Sequence, residues 1–384
     1  MQCKTDMNSM TEFDEYIRES EAHYGKKAKI WQTAIGLQEV DGLKPSSYLI
    51  ETAKKHIEGD IAIDDVQKLI KSYYESKDSR KETSDGNEEA DKVSANIAKL
   101  LCSDSFTFNT NGYLSVHRNI FNGVFKFAGQ IRDCNITKKE WVLNGDTVNY
   151  MYAPDIKRAL DYDIEQERNY NYYGLSSVEV VEHIAKFVAN LWQIHAFREG
   201  NTRTTAVFTI QYLRSIGFDV TNDQFAEHSW YFRNALVRAN YKNVKKGVNY
   251  DYTFINKFFR NLLLDEEHEL KNRSMLINPP EDWKAAPQAP PQPTPQVSAE
   301  KTNIEKFKIT SNLIEIAKAI ANKQLTALQI MAEMGLKDRK NFKNTYLDPA
   351  ISKKIVKMLY PDRPNHPRQK YYLTVKGLSI LKQI

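Results

Sequence analysis

Residues 195–203 have the sequence HAFREGNTR, which combines side chains suited to phosphoryl or nucleotidyl transfer. His195 is the side chain of this stretch that can take a proton near neutral pH without a large pKa shift. Glu199 offers a hard oxygen ligand of the kind that Mg²⁺ takes beside substrate phosphates. Arg203 presents a planar fork of donors to phosphate oxygens. A proton acceptor, a metal ligand and a cation in one short segment together predict a site that transfers a phosphate-containing group.

Two predicted helices flank this segment. Apolar residues recur at helical spacing on both sides of it, at Val178, Val181, Ala185, Val188, Trp192, Ala206, Val207, Ile210, Leu213 and Ile216. The second helix is expected to begin near Asn201 and to end at Gly217. The first amides of a helix lack internal partners and can bind a phosphate. A single histidine is more typical of packing, and Glu-Gly-Asn of a turn, but their joint occurrence at a helix start favours a functional site.

These residues resemble the signature of the Fic family, His-Pro-Phe-x-Asp/Glu-Gly-Asn-Gly-Arg-x-x-Arg. The match covers His195, Phe197, Glu199, Gly200, Asn201 and Arg203. The departures are Ala196 for proline, Thr202 for the second glycine and Ala206 for the last arginine. The resemblance implies a mainly α fold, with a Fic-type helical core and a β-hairpin flap. It also implies an adenylyltransferase that moves AMP from ATP to a Ser, Thr or Tyr hydroxyl of a target protein.

The resemblance further implies a role for each matching residue. His195 would be the catalytic base, and Glu199 would hold Mg²⁺ together with a diphosphate group of ATP. The phosphate-binding residues would be Gly200, Asn201, Thr202 and Arg203. On a further helix expected at residues 223–240, Tyr231 and Asn234 are candidates for contact with the nucleotide base.

Two departures leave other functions open. Thr202 does not adopt left-handed backbone conformations as freely as glycine, and Ala206 removes an arginine contact to phosphate. A transferase that uses another phosphate-containing donor, such as UTP or GTP, is therefore an alternative. Another alternative, from a different class, is a DNA- or partner-binding regulator whose Fic core senses nucleotide.

The stretch from Val142 to Tyr152 is expected to form the flap. The turn dipeptide Asn144-Gly145 between β-prone runs is a strong signal for a hairpin. In the family, this hairpin lies beside the active site and holds the target by strand-like pairing. The candidate docking residues are Val142, Asn144, Gly145, Thr147, Val148 and Tyr150. The alternative is an ordinary surface hairpin.

Residues 1–77 are predicted to form a small helical segment that resembles the antitoxin partner of Fic toxins. Its helices are expected at residues 29–40, 46–57 and 61–74. In that partner, a Ser/Thr-x-x-x-Glu-Gly/Asn helix intrudes on the ATP site, and the nearest match here ends in Asp41 and Gly42. These two are candidate inhibitory residues. Because Ala206 replaces the usual partner of the inhibitory carboxylate, Arg203 is an alternative partner. The other interpretation is that Asp41-Gly42 simply ends a helix.

The amino-acid composition predicts the remaining domain boundaries. Residues 78–92 are charged and are expected to form a linker, and residues 93–273 the catalytic domain. Residues 274–301 include a stretch rich in proline and alanine and are predicted to be a spacer. Residues 302–384 resemble the C-terminal domain of longer Fic proteins and are predicted to form a winged helix-turn-helix of the α+β type. Its basic residues would contact DNA phosphates. The alternative is a protein-docking or dimerising module whose basic face is only solvated.

The overall composition favours a soluble cytoplasmic protein. The 384 residues are 41% hydrophobic and 27% charged, and the net charge of +5 does not by itself indicate nucleic acid. No apolar run approaches the length of a membrane span, and the first residues lack the apolar core of a secretory signal. The cysteines, Cys3, Cys102 and Cys134, are widely spaced and fit a reducing compartment. We expect no membrane partner and a cytoplasmic location.

Overall fold

The computed structural model describes residues 22–76, 85–103, 105–218, 220, 223–277, 310–361, 363–364, 366 and 368–381. The α-helices are α1 (Ala22–Gly36), α2 (Ser47–Glu58), α3 (Ile63–Glu75), α4 (Asp85–Cys102), α5 (Thr110–Ile120), α6 (Ile156–Arg168), α7 (Ser177–Ile194), α8 (Asn201–Ser215), α9 (Asp223–Glu227), α10 (Ser229–Ala239), α11 (Thr253–Leu264), α12 (Ser311–Ile320), α13 (Ala327–Glu333), α14 (Arg339–Phe342), α15 (Asp348–Ser352) and α16 (Val375–Ile380). The β-strands are β1 (Val356–Met358) and β2 (Tyr371–Leu373). The prediction of a mainly α fold is confirmed. Within the described ranges, no helix is long and apolar enough to cross a bilayer.

The chain divides into two compact units. The first comprises the described residues within 1–169, 185–211 and 221–293, and it includes α1 to α6 and α9 to α11. The second comprises the described residues within 170–184, 212–220 and 294–384, and it includes α12 to α16 and both strands. The N-terminal helices therefore belong to the same unit as the residues of the predicted site.

The N-terminal helices end and begin at the predicted signals. A 3-10 turn, Leu37–Asp41, continues α1, and Gly42 ends it in the left-handed conformation at φ = 69°. Ser46 caps α2, because its hydroxyl accepts a hydrogen bond from Leu49 N at 3.1 Å. The three helices predicted for this segment are confirmed, although α1 begins at Ala22, earlier than expected.

The predicted linker at residues 78–92 is wrong in its second half, which belongs to α4. Asp91 of this helix is fully buried. Its carboxylate accepts hydrogen bonds from Ser46 N at 2.8 Å, from Ser46 Oγ at 2.5 Å and from Tyr74 OH at 2.7 Å. These distant donors allow a charged residue to lie inside the helix packing, whereas composition alone counts it as solvated. Residues 77–84 lie outside the described residues.

The predicted hairpin at Val142–Tyr152 is also wrong, since these residues, all of them described, contain no strand. Trp141–Leu143 forms a 3-10 turn instead. Asn144 and Gly145 follow at φ = 53° and 83°, so the expected turn residues do adopt left-handed conformations. The turn is present, but the strands on either side of it are not.

Side chains that flank this turn bind distant partners, which explains why no strand ladder forms. Glu140 N donates to Asp146 O at 2.8 Å and closes the loop. The Asp146 carboxylate accepts hydrogen bonds from Tyr241 OH at 2.7 Å and Lys246 Nζ at 3.0 Å. The buried Glu140 carboxylate forms an ion pair with Arg233 at 2.7 Å. A two-stranded hairpin alone is marginally stable in water, so these contacts determine the loop conformation.

The helix predicted at residues 223–240 is divided into α9 and α10, with His228 between them. The break brings the start of α10 against the end of α1. Ser229 Oγ donates to Gly36 O at 2.8 Å. A Cβ on Gly36 would lie 2.3 Å from Ala226 O, so glycine is required for this approach. The end of α1 is therefore fixed against α9 and α10.

The second unit joins helices to a two-stranded antiparallel sheet, in which Val356 pairs with Leu373. Leu325 adds an isolated bridge to Tyr371. This arrangement agrees with the α+β prediction, whereas α16, which follows the sheet, was not expected. The winged-helix interpretation and a DNA or protein partner for this unit stay predictions. Most of the predicted spacer at residues 274–301 lies outside the described residues.

Asp91→Ala is expected to destabilise the first unit, because it leaves the buried Ser46 and Tyr74 donors without an acceptor. We expect the free energy of unfolding to fall by about 2–4 kcal/mol. Urea denaturation of the full chain, followed by circular dichroism, measures this change. The control is Asp64→Ala, because Asp64 is a solvent-exposed partner of Lys99 and its loss should leave the midpoint unchanged. Equal midpoints for the two variants would contradict the structural role of Asp91.

Candidate active site

The loop between α7 and α8 spans residues 195–200, and α8 begins at Asn201 as predicted. Its backbone passes through two left-handed positions, His195 at φ = 51° and Gly200 at φ = 76°. A Cβ on Gly200 would lie 2.2 Å from the Phe121 ring, so only glycine fits there. Positive φ is uncommon for a histidine. The contacts around the loop must therefore impose this conformation.

Arg132, which is 2% exposed, holds the first half of the loop. Its Nε donates to His195 O at 2.8 Å, its Nη1 to Cys134 O at 2.6 Å and its Nη2 to Met151 O at 2.5 Å. Its backbone N donates to Ala196 O at 2.9 Å. One guanidinium thus ties the residues that follow α7 to the segment that follows Arg132, and it fixes the direction in which His195 leaves the helix.

Asn201 holds the second half of the loop. Its Oδ1 accepts a hydrogen bond from Phe197 N at 2.9 Å, and its Nδ2 donates to Phe197 O at 2.8 Å. The Phe197 ring stacks on His117 with a centroid distance of 3.7 Å. Burial lowers the pKa of His117 to about 4, so this ring is a neutral packing partner. Each of these bonds uses one site of its atom, so Nδ2 keeps a second N–H that suits the predicted phosphate contact.

The His195 imidazole is 3% exposed, and neither ring nitrogen has a hydrogen-bond partner among the described residues. The ring lies against Tyr150 at a centroid distance of 4.0 Å and against Trp192 at 5.4 Å. Burial lowers the pKa of His195 well below its ordinary value of 6.5, and the charges of Lys138 and Arg233 lower it further. The imidazole is therefore neutral at physiological pH and carries a nitrogen lone pair able to accept a proton.

A small cavity opens beside this imidazole. Its lining consists of Asp41, Lys138, Trp192, His195, Glu199, Gly200, Asn201, Thr202 and Arg233. Its empty volume is about 270 Å³, a figure that includes space open to solvent. Thr202 contributes through a hydroxyl that accepts a hydrogen bond from Trp192 Nε1 at 3.0 Å. The cavity thus lies at the start of α8, and Asp41 is the lining residue that comes from the N-terminal segment.

Glu199 is the carboxylate of the loop that faces the cavity. Lys138 Nζ lies 3.3 Å from its Oε1, and Gly200 N donates to the same oxygen at 3.1 Å. Within the described residues, no cluster of three or more His, Cys, Asp or Glu side chains could hold a metal ion. A single carboxylate beside a cavity suits Mg²⁺, which commonly binds one or two carboxylates together with substrate phosphates and water. Glu199 is therefore the residue that would hold the predicted ion.

Arg203 is 1% exposed and is not part of the cavity lining. Its Nη1 donates to Gln38 Oε1 at 3.0 Å, and its Nη2 donates to Glu89 Oε1 at 2.8 Å. Asp41 Oδ2 lies 2.8 Å from its Nε, an ion pair in which the N–H is not aligned for a hydrogen bond. The alternative pairing of Asp41 with Arg203 is thus present. Glu89, from the predicted linker, supplies a second carboxylate that the sequence did not indicate.

Tyr231 and Asn234 are not among the residues that line this cavity, and their contact with the nucleotide base stays a prediction. Tyr231 OH donates to Phe254 O at 3.2 Å, and Asn234 Nδ2 donates to Asn272 Oδ1 at 2.8 Å. The residue of α10 that lines the cavity is Arg233. The sequence offers only its helical register as a signal, since a lone arginine on an aromatic helix matches no motif.

The predicted docking residues do not form a strand at the cavity. Val142 is fully buried and Val148 is 2% exposed, while Thr147 is half-buried and Asn144 and Gly145 are exposed. The exception is Tyr150, whose ring contacts the imidazole described above and whose hydroxyl donates to Glu140 Oε1 at 3.0 Å. Tyr150 thus connects this segment to His195, and the docking of a target by the segment stays a prediction.

Comparison with known proteins gives two family matches. Residues 107–213 match the Fic/DOC family, and residues 311–374 match the C-terminal domain of the Fic-like proteins described as filamentation induced by cAMP. The chain is 23% identical over 243 residues to protein adenylyltransferase VbhT of Bartonella schoenbuchensis, which covers 63% of this chain and 48% of that protein. It is 29% identical over 137 residues to probable protein adenylyltransferase y4lH of Sinorhizobium fredii, which covers 33% of this chain and 62% of that protein.

Among solved structures, a Fic family protein from Desulfovibrio desulfuricans aligns over 97% of both chains, with a TM-score of 0.45 and 14% identity. The chain spans about half the length of the curated relatives that it matches. The Fic/DOC match includes the whole loop between α7 and α8 and the start of α8. The loop between α7 and α8 thus lies in the part of the chain that is similar to the Fic/DOC family, and residues 311–374 are similar to the Fic-like C-terminal domain.

Proposed function

We propose that this protein is an adenylyltransferase that moves AMP from ATP to a Ser, Thr or Tyr hydroxyl of a target protein. The observation that carries the proposal is the His195 imidazole, which is buried, has no hydrogen-bond partner among the described residues and borders a cavity at the start of α8. A buried polar group without a partner is rare and commonly marks a catalytic role or a missing ligand. The similarity to protein adenylyltransferase VbhT and to probable protein adenylyltransferase y4lH supports the same activity.

In the proposed reaction, ATP binds with its phosphates at the start of α8, where unpaired amides and the helix dipole favour anions. Glu199 would hold Mg²⁺, and the ion would supply positive charge to the departing group. The target hydroxyl oxygen attacks the α-phosphorus, the bond from that phosphorus to the β-phosphate oxygen breaks, and pyrophosphate leaves. His195 takes the hydroxyl proton on a ring nitrogen. The products are a protein with AMP bound to oxygen, and pyrophosphate.

The proposal includes restraint of this reaction by the N-terminal segment. Asp41 lines the cavity and also pairs with Arg203. An incoming triphosphate must therefore displace a carboxylate from space that is already small, and it must overcome that negative charge. Gln38 adds an acceptor from the same 3-10 turn to the same guanidinium. The contacts on Arg203 thus keep the turn at the entrance to the site.

Replacement of the proposed base is expected to abolish transfer and to spare ATP binding. His195→Ala removes the proton acceptor, so labelling of lysate proteins by α-labelled ATP should fall by about 10²- to 10⁴-fold. Calorimetry should show that ATP still binds. Both are measured in the Asp41→Ala background, with His366→Ala, a histidine of the second unit, as the control. Labelling that survives in His195→Ala would mean that another group accepts the proton.

Removal of the Asp41 carboxylate is expected to activate the enzyme. Asp41→Ala frees space in the cavity, while Glu89 and Gln38 still bind Arg203 and prevent an unpaired buried charge. We expect the initial rate of AMP transfer by the full chain to rise about tenfold, within the ~1–3 kcal/mol typical of coupled sites. Asp60→Ala, an exposed acidic residue of the same segment, is the matched control. An unchanged rate in Asp41→Ala would argue against restraint by this residue.

The pH dependence of kcat/KM should reflect the lowered pKa of His195. Because this pKa lies well below 6.5, the base is unprotonated and kcat/KM should be flat above pH 6.5 and fall only at lower pH. Lys138→Gln removes a cation that disfavours the imidazolium, so it should raise the pKa and move the acid limb to higher pH. Lys139→Gln, the exposed neighbour outside the cavity lining, should leave the limb in place. A shift to lower pH in Lys138→Gln would contradict this electrostatic account.

A further inference from the structure

The positive charges around the cavity are unequally available to a ligand. Two cations line it, Lys138 and Arg233. Lys138 is already paired with the Glu199 carboxylate. Arg203, the arginine of the loop motif, is enclosed by acceptors and lies outside the lining. Within the described residues, Arg233 is therefore the guanidinium that faces the cavity.

One edge of the Arg233 guanidinium contacts the protein, and the N–H donors of its other edge have no protein partner among the described residues. Its Nη1 lies 2.7 Å from Glu140 Oε2, and its guanidinium carbon lies 5.1 Å from the centre of the Trp230 ring. The described structure gives no hydrogen-bond partner for its Nε or Nη2. A guanidinium has five N–H donors in a rigid plane, so the paired edge orients the group while the other edge stays free. This is the arrangement expected of a preorganised anion contact.

The contact behind Arg233 also leads to the proposed base. Glu140 is buried, and its other carboxylate oxygen accepts a hydrogen bond from Tyr150 OH at 3.0 Å. The Tyr150 ring lies against His195. Arg233, Glu140, Tyr150 and His195 thus form one continuous set of contacts along the cavity wall. The guanidinium that faces the cavity and the imidazole of the proposed base are therefore connected through the same buried carboxylate.

We propose that Arg233 binds the phosphate chain of the nucleotide and supplies from α10 the second guanidinium of the site. The inference rests on the proposed function, because that function names the nucleotide. The position of Ala206 on α8 carries no cation, so the additional positive charge at the cavity comes from a different helix. The ligand class is a polyphosphate, and the inorganic form tests the contact without the base or the sugar.

The experiment separates loss of the contact from loss of the fold. Arg233→Ala alone would leave the Glu140 carboxylate buried and unpaired, which is strongly destabilising. We therefore compare the single variant Glu140→Gln with the double variant Glu140→Gln/Arg233→Gln. Residue 140 is neutral in both, so neither variant leaves a buried carboxylate without its cation. Each is made in the full-length Asp41→Ala chain, and thermal melting verifies that both fold. Calorimetry then measures binding of inorganic tripolyphosphate, of ATP and of adenosine.

We expect the double variant to bind tripolyphosphate and ATP at least about tenfold more weakly than Glu140→Gln, the loss typical of a charged hydrogen bond. Adenosine binding should be equal in the two. Equal affinity for tripolyphosphate, or no binding of it by the Asp41→Ala parent, would overturn the role of Arg233. A different result is weaker tripolyphosphate binding by the double variant, with no transfer of AMP to protein by the Asp41→Ala parent. It would support the Arg233 contact and count against the adenylyltransferase activity.

Discussion

Burial of the Arg203 guanidinium is the constraint that connects the N-terminal helices to the candidate site. A buried cation must have acceptors around it, and here they come from the 3-10 turn after α1 and from α4. The same arginine belongs to the first turn of α8, which forms a wall of the cavity. The charge of one side chain therefore fixes three chain segments around the loop, and it places a carboxylate at the cavity entrance.

Local signals in the sequence are sufficient to predict the helices and the central residues of the candidate site. The start of α8 at Asn201, the cap at Ser46 and the helix end at Gly42 each depend on residues within one helical turn. The loop residues His195 and Glu199 also share the cavity, because the loop between the two helices is short. Adjacency along the chain is enough to predict such features.

Contacts between distant residues could not be predicted in the same way. The turn at Asn144-Gly145 is present as predicted, but no strands flank it, and the neighbouring Glu140 forms a buried ion pair with the distant Arg233. By composition, Asp91 and Glu89 belong to a charged, solvated linker, because their hydrogen-bond partners lie far away in the sequence. Arg233 carries no motif and becomes important only when α10 packs beside the loop. In each case the decisive partner lies on another element, which composition and periodicity do not identify.

The fixed end of α1 limits which part of the N-terminal segment could move to relieve the proposed restraint. Because this end is held against α9 and α10, only the 3-10 turn can move while the helix stays in place. That turn buries Leu37 and Val40, and a displacement that exposes both costs about 3–6 kcal/mol. Such a conformer accounts for less than about 1% of molecules at equilibrium. Under the proposed function, this population is the factor by which the chain would bind nucleotide more weakly than the open conformer does.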